Sequence, residues 1–219
     1  DSGMNQVNHI HFVYDMMKKK ADRSVDLQDS ANQAALDYLK SHHVVVDPTI
    51  GVIEMILRSV KDNIYDMEPN FNTLPIPLQA LFVNMGMPPQ QAAAQKPRFQ
   101  SMLHLVKALY DKGIPIVAGT DMGFPGYSLA RELELYVMAG LTPMEAIQSA
   151  TIVPATVMNM YKKTGMVRSG RQADLFCQVN LIYLLHWFNR QTRPVAKVSL
   201  VYPLPDGPEA PPRALADMS

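Results

Sequence analysis

Apolar positions recur along the chain in short blocks whose spacing changes from one block to the next. Residues 7–13, VNHIHFV, read as a strand, which sets His9 and His11 on one face because side chains two apart point the same way. Residues 18–29 are charged and loop-like. From Ser30 to Ser41 the period is helical, with Ala34, Ala35, Leu36 and Leu39 on the apolar side. His43 to Asp47 reads as a second buried strand ending at Pro48-Thr49, and Ile50 to Asp62 as a helix. Residues 66–90 are rich in proline and predict an excursion rather than a further layer. Pro97 to Lys112 predicts a strong helix, with Met102, Leu105, Val106 and Leu109 facing inward and Gly113 as its C-cap.

A third strand, Ile114 to Ala118, runs into Gly119-Thr120-Asp121, a glycine-rich loop, and an amphipathic helix over 128–139. Thr142, Pro143 and Glu145 have the order of an N-cap, a first-position proline and a capping box, for a helix reaching about Ser149. Ala155 to Tyr161 reads as one more short helix. Strand and helix alternating in this way predict an α/β chain with a parallel sheet and helical crossovers. Three strands are too few to close a barrel, so the expectation is part of one.

Composition narrows the function only a little. At 219 residues and 47% hydrophobic the chain has ample material for a core. Lys+Arg and Asp+Glu balance at 20 each, giving no basic surface for nucleic acid or acidic membrane. No apolar run approaches the roughly 20 residues of a membrane span. The one cysteine, Cys177, excludes an internal disulfide and a cysteine-based zinc site. The opening DSGMNQVNHIHFVYD has no basic leader or long apolar stretch and reads as the middle of a domain, which leaves localisation undetermined. The 15 methionines sit mostly at helical core spacing and read as gap-fillers.

Candidate chemistry centres on Asp121. An aspartate just past the end of a buried parallel strand stands where barrels keep their sites. A buried carboxylate needs a partner, because an unpaired charge is expensive to bury, and metal ligation is the natural one. His9, near the end of a different strand, offers the nitrogen donor that suits zinc beside a carboxylate. His11, on the same face, is within reach of a substrate. His42 and His43 read as a solvated pair, and His104 falls on an outer helix face. Glu132 and Glu134 read as exposed or partly buried, serving solvation and the helix dipole. Ser128, within Gly126-Tyr127-Ser128-Leu129-Ala130, is a second substrate-binding candidate. With Asp174 and His186 it even follows the chain order of an α/β-hydrolase triad. An elbow serine should follow its strand directly, however, and a helix N-cap explains Ser128 better.

The segments GIPIVAGTD, SLARELELYVMAGLTPMEAIQSATIVPA and GMVRSGRQADL, taken in that order, resemble the C-terminal part of a metal-dependent amidohydrolase of the imidazolonepropionase-like group. GMNQVNHI resembles that family's sixth strand and LKSHHVVVDPT its seventh, where Pro48-Thr49 recurs without direct chemistry. The resemblance covers residues 1–176 or so and implies a partial (β/α)8 barrel of the TIM type, strands six to eight with their helices, plus a remnant of a small β-sandwich. The implied division is 1–162 barrel, 163–202 sandwich remnant and divergent segment, and 203–219 a proline-rich tail. It further implies hydrolysis of an amide or related C–N bond in a small-molecule or peptide-like substrate, with dipeptides, cyclic amides and acylated amino acids all open. Asp121 would ligate a divalent metal, zinc first, and take the proton of the attacking water. His9 would ligate a second metal or lie beside the substrate, and Asp174 would be structural. The family's first-strand His-x-His, fourth-strand lysine and fifth-strand histidine have no counterpart, and after Phe176 the pattern is lost.

An esterase using Ser128 and a non-catalytic oligomeric scaffold remain the alternatives. Open strand edges predict that the chain pairs with copies of itself or with an N-terminal half-barrel partner. Light scattering over a concentration series should show a mass above one chain of 24.4 kDa; a monomer at high concentration would contradict the open-edge reading.

Overall fold

Two segments pair in parallel: β1, Gln6–Asn8, lies beside β2, Val45–Asp47, with Gln6 opposite Val45 and Asn8 opposite Asp47. Ile116 bridges to Val46 on the other side of β2, with Val46 N–H on the Pro115 carbonyl at 2.9 Å and Val117 N–H on the Val46 carbonyl at 3.0 Å. The computed structural model describes residues 5–122 and 128–172, and within them three chain segments thus run side by side. The expected strand over 114–118 is reduced to this single bridge for a backbone reason. The next donors along the ladder would be the nitrogens of Pro115 and Pro48, and proline has none to give.

The first strand is shorter than its pattern predicted. It stops at Asn8, His9 turns the chain at φ 67°, and α1 occupies Ile10–Met16. Ile10, Val13, Tyr14 and Met17 are all buried at i, i+3, i+4 and i+7, a helical period that the alternation around His9 and His11 concealed. His11 therefore belongs to a helix, and its sharing of a strand face with His9 is corrected.

The second helix, α2, spans Ser30–Ser41 as expected, its Asp29 cap accepting the Ala31 N–H at 2.9 Å. Buried Asn32 ties the preceding loop down through Lys18 and Asp26. α3, Ile50–Leu57, ends earlier than predicted because Arg58 turns extended and buries its guanidinium against the carbonyls of Ser59, Asp62, Phe82 and Val83. The excursion expected at 66–90 follows a 3-10 turn at Ile64–Asp66 and contains another at Phe71–Thr73 and α4, Ile76–Val83, around a small core of Met55, Ile64, Met67, Phe71, Leu74 and Phe82.

α5, Pro89–Asp111, begins eight residues before Pro97, which lies inside it. The predicted start mistook an interior proline for a first-turn one; Pro89 holds that place, where no N–H is missed. Met102, Leu105, Val106 and Leu109 are fully buried in the main core. Gly113 takes φ 77° while its N–H meets Tyr110 and that of Ile114 meets Leu109, closing the helix in a Schellman turn.

α6, Ser128–Met138, and α7, Pro143–Ser149, follow, the latter with the predicted capping box at Thr142 and Glu145. α8 occupies Ile152–Val157, a few residues ahead of the expected 155–161. No described helix is long and apolar enough to cross a membrane. Residues 163–172 form turns and bends; Asp174, Cys177, His186, most of the expected sandwich remnant and the whole tail lie outside the described residues.

The expectation that Glu132 and Glu134 are exposed or partly buried is overturned, since both are almost wholly enclosed. Arg131 explains one: it forks onto both oxygens of Glu54 at 2.7 and 2.8 Å and reaches Glu134 at 2.8 Å, locking α6 to α3. Burial works against the guanidinium charge, but the bonds to Glu54 and then Glu134 outweigh it. Glu132 is fully buried, and its oxygens accept the N–H groups of Ile50 at 2.8 Å and Gly51 at 2.7 Å, the first two residues of α3. Burial nevertheless pushes this carboxyl up to about 8, with the Asp47 charge adding to the rise.

Replacing Arg131 by Met removes the guanidinium that half-buried Glu54 and buried Glu134 share and should cost about 3–5 kcal/mol in urea unfolding, clearly more than Glu54→Gln, which leaves Arg131 its bond to Glu134. Glu132 gives a second test. The folded chain keeps this proton above the ordinary 4.5, where the unfolded chain has released it. Its contribution to stability is complete below pH 4.5 or so and is lost as pH rises towards 8. Stability curves over that window should fall for the wild type and flatten for Glu132→Gln.

Candidate functional site

The chain emerges from the C-terminal ends of all three parallel segments within one small region. His9 follows β1, Asp47 closes β2 with Pro48 and Thr49 behind it, and Gly119, Thr120 and Asp121 follow the Ile116 bridge. Backbone bonds bind the first two ends together: His9 N–H donates to the Asp47 carbonyl at 2.7 Å and Ile10 N–H to that of Pro48 at 2.9 Å. The third is joined through a side chain, as Gly119 N–H donates to Asp47 Oδ1 at 2.9 Å. A Cβ on Gly119 would overlap the Asp47 carboxylate, so glycine is required there by close approach.

His9 is the meeting point. Its Nδ1 lies 2.7 Å from Thr49 Oγ1 and 3.9 Å from Asp121 Oδ2. With a proton on Nδ1 the ring would donate to Thr49 and leave its Nε2 lone pair for a ligand. Its ring stacks on that of His11, centroids 5.6 Å apart, and Phe12 packs against both. Burial, and then the neighbouring His9, holds His11 below the usual histidine range. The half-buried Asp47 carboxyl is pushed up by burial, against the pull of Gly119.

Three residues here have left-handed backbones without being glycine: His9 at φ 67°, Thr49 at 44° and Asp121 at 47°. Such conformations are uncommon, and for a β-branched threonine they are costly. Strain concentrated at the ends of adjacent segments is the kind of observation from which a functional site is inferred.

The structure thus brings His9, His11 and Asp121 together. It does not support the reason given for Asp121, whose side chain is 62% exposed and needs no counter-ion on grounds of burial. Burial applies instead to Asp47, which was given no role, and to Glu132, which was expected to serve solvation and the helix dipole. Thr49, expected to lack direct chemistry, touches His9. Ser128 opens α6 directly after residues 123–127, which lie outside the described residues, as do its triad partners Asp174 and His186.

As a metal site the set is right in kind and short in number. Among the described residues no group of three or more His, Cys, Asp or Glu is disposed to hold an ion. His9 and Asp121 supply one nitrogen and one oxygen donor, where a catalytic zinc takes three protein ligands.

Comparison with known proteins bears on residues 98–182, which match the amidohydrolase family. No curated protein matches the chain. Among solved structures, similarity is found to a Xaa-Pro dipeptidase with methionine bound in its active site, at 24% identity and a TM-score of 0.45, over 77% of this chain and 32% of that one. An amidohydrolase at 20% identity and TM-score 0.42 covers 77% of this chain and 35% of its own. A prolidase complexed with N-methylphosphonate-L-proline, at 19% and 0.40, covers 76% and 35%. With TM-scores below 0.5 these likenesses add nothing to the fold assignment, and the chain spans about a third of the length of each. The motifs beginning GIPIVAGTD fall largely within the stretch, residues 98–182, that is similar to the amidohydrolase family.

Proposed function

We propose that the chain supplies part of the active site of a hydrolase that cleaves an amide or related C–N bond with the help of a divalent metal, zinc first among the candidates. The observation that supports this best is the approach of His9 Nδ1 to Asp121 Oδ2, 3.9 Å, at the C-terminal ends of parallel segments, with Asp121 inside the matched stretch. The partial (β/α)8 barrel belongs to the same reading. Each described segment delivers a polar residue to one end, as barrels do.

Asp121 and His9 are the residues that would hold the metal, with further donors from outside the described residues. When bound, such an ion polarises a carbonyl and lowers the pKa of water towards about 7. The chain's own groups have separable tasks. Asp121, exposed at the mouth, takes a proton at Oδ1 or Oδ2 as general base. Asp47 fixes the Gly119 end of the Asp121 loop through the Gly119 N–H. Thr49 orients the His9 ring, and His11, whose proton affinity burial and the neighbouring His9 lower, offers the substrate a hydrogen bond.

Purified chain loaded with zinc, manganese or iron should hydrolyse at least one member of a panel of dipeptides, cyclic amides and acylated amino acids. Asp121→Asn should lower that rate by about 10²-fold or more, as loss of a general base does, with the melting temperature unchanged because the side chain is exposed. More than about a tenth of the wild-type rate remaining in the variant, or no bound metal in the wild type, would contradict the reading.

A further inference from the structure

The most deeply buried carboxyl in the described residues stands behind the site rather than in it. Glu132 projects from α6 with no exposure, and each of its oxygens accepts one backbone N–H, from Ile50 and from Gly51. Those two amides open α3, and the residue immediately before them is Thr49, left-handed at φ 44° and 2.7 Å from His9 Nδ1 through its hydroxyl. Between Glu132 and His9 the path therefore crosses two clamped peptide groups and one hydrogen bond. Four residues further along α6, Tyr136 donates its hydroxyl to the Val117 carbonyl at 3.4 Å. That carbonyl is the one Pro48 leaves without a ladder partner, two residues before Gly119 and its bond to Asp47.

We propose that Glu132 is a positioning residue: by clamping the first turn of α3 it holds Thr49 in its left-handed conformation and thereby sets the orientation and tautomer of the His9 ring. The proposal rests on His9 belonging to the site, as argued above. The physical reason is directional. Without an acceptor in place, the Ile50 and Gly51 amides are buried and unsatisfied, and the first turn relaxes to find partners. Thr49 then has nothing to keep it in a region β-branched residues avoid, and its hydroxyl leaves Nδ1. A carboxyl that only stabilised the fold would have no effect on one imidazole in particular.

The test reads the His9 ring by proton–nitrogen correlation spectra of the full chain labelled in histidine, with the His9 signals assigned by their loss in His9→Gln. Thr49→Val breaks the hydroxyl contact directly and should move the ring nitrogen shifts away from a single tautomer. Glu132→Ala should move them in the same direction. Glu132→Gln, whose lone carbonyl oxygen serves one amide and not the other, should move them less. Leu36→Ala, a fully buried change on α2, should lower stability and leave the His9 shifts where they are. Unchanged His9 shifts in Glu132→Gln and Glu132→Ala would overturn the proposal, as would unchanged shifts in Thr49→Val or an equal displacement in Leu36→Ala. Should Glu132→Ala fail to fold, the Gln variant decides alone. Because the readout needs neither substrate nor metal, its failure leaves the hydrolase reading standing, and an active Asp121→Asn would sink that reading while leaving the effect of Glu132 on the His9 ring to be decided by the shifts alone.

Discussion

A carboxyl group sealed against the first turn of a helix organises this molecule. The start of α3 exposes N–H groups that no residue of the helix itself can satisfy, and it concentrates partial positive charge. Glu132 accepts two of those N–H groups from a neighbouring helix, and Gly51 leaves room for it: a Cβ there would stand 3.1 Å from Oε2. Arg131, one residue earlier, grips Glu54 further along α3. Adjacent residues of α6 thus engage both the beginning and the middle of α3, Arg131 with charge-assisted bonds, and the apolar packing around them closes over polar groups already matched.

The parallel ladder is narrow because two prolines interrupt it, and side chains take over where backbone donors are missing. Asp47 captures the Gly119 amide beyond the last bridge, and the Tyr136 hydroxyl reaches the orphaned Val117 carbonyl. These substitutions occur where the chain turns out of the sheet, so the segment ends that gather His9, Thr49 and Asp121 are fixed by side-chain chemistry rather than by sheet hydrogen bonding. Left-handed backbones at all three residues persist in that frame.

What could be read from the sequence follows from how local each signal is. The α2 limits, the α5 core stripe, the Gly113 turn and the Thr142–Glu145 box depend on residues within one or two turns of one another, and all stand as predicted. The motif order that resembles an amidohydrolase agrees with the match over 98–182. At His9 and His11 two periods competed, and four buried residues at helical spacing decided for α1. The burial of Glu132 and Glu134 was hidden because Ile50 and Gly51, which meet Glu132, and Glu54, which shares Arg131 with Glu134, are some eighty residues away in the chain. Only a rule that two glutamates within an apolar stripe beside an arginine deserve a buried partner could have flagged them. Thr49 was missed for the same reason, since its value depends on a histidine forty residues earlier.

The Glu132 clamp also bears on where this chain can be divided. The stretch that matches the family begins at residue 98, inside α5, and includes α6 but neither α3 nor the β2 end. Cut there, α6 would keep Glu132 and Arg131 and lose the amides and the carboxylate they were built to meet. The recognisable part of the sequence therefore depends on residues outside it for its buried polar partners: the boundary of resemblance and the boundary of these contacts fall in different places, and an excised or recombined version must carry residues from at least Thr49 onward to keep those groups matched.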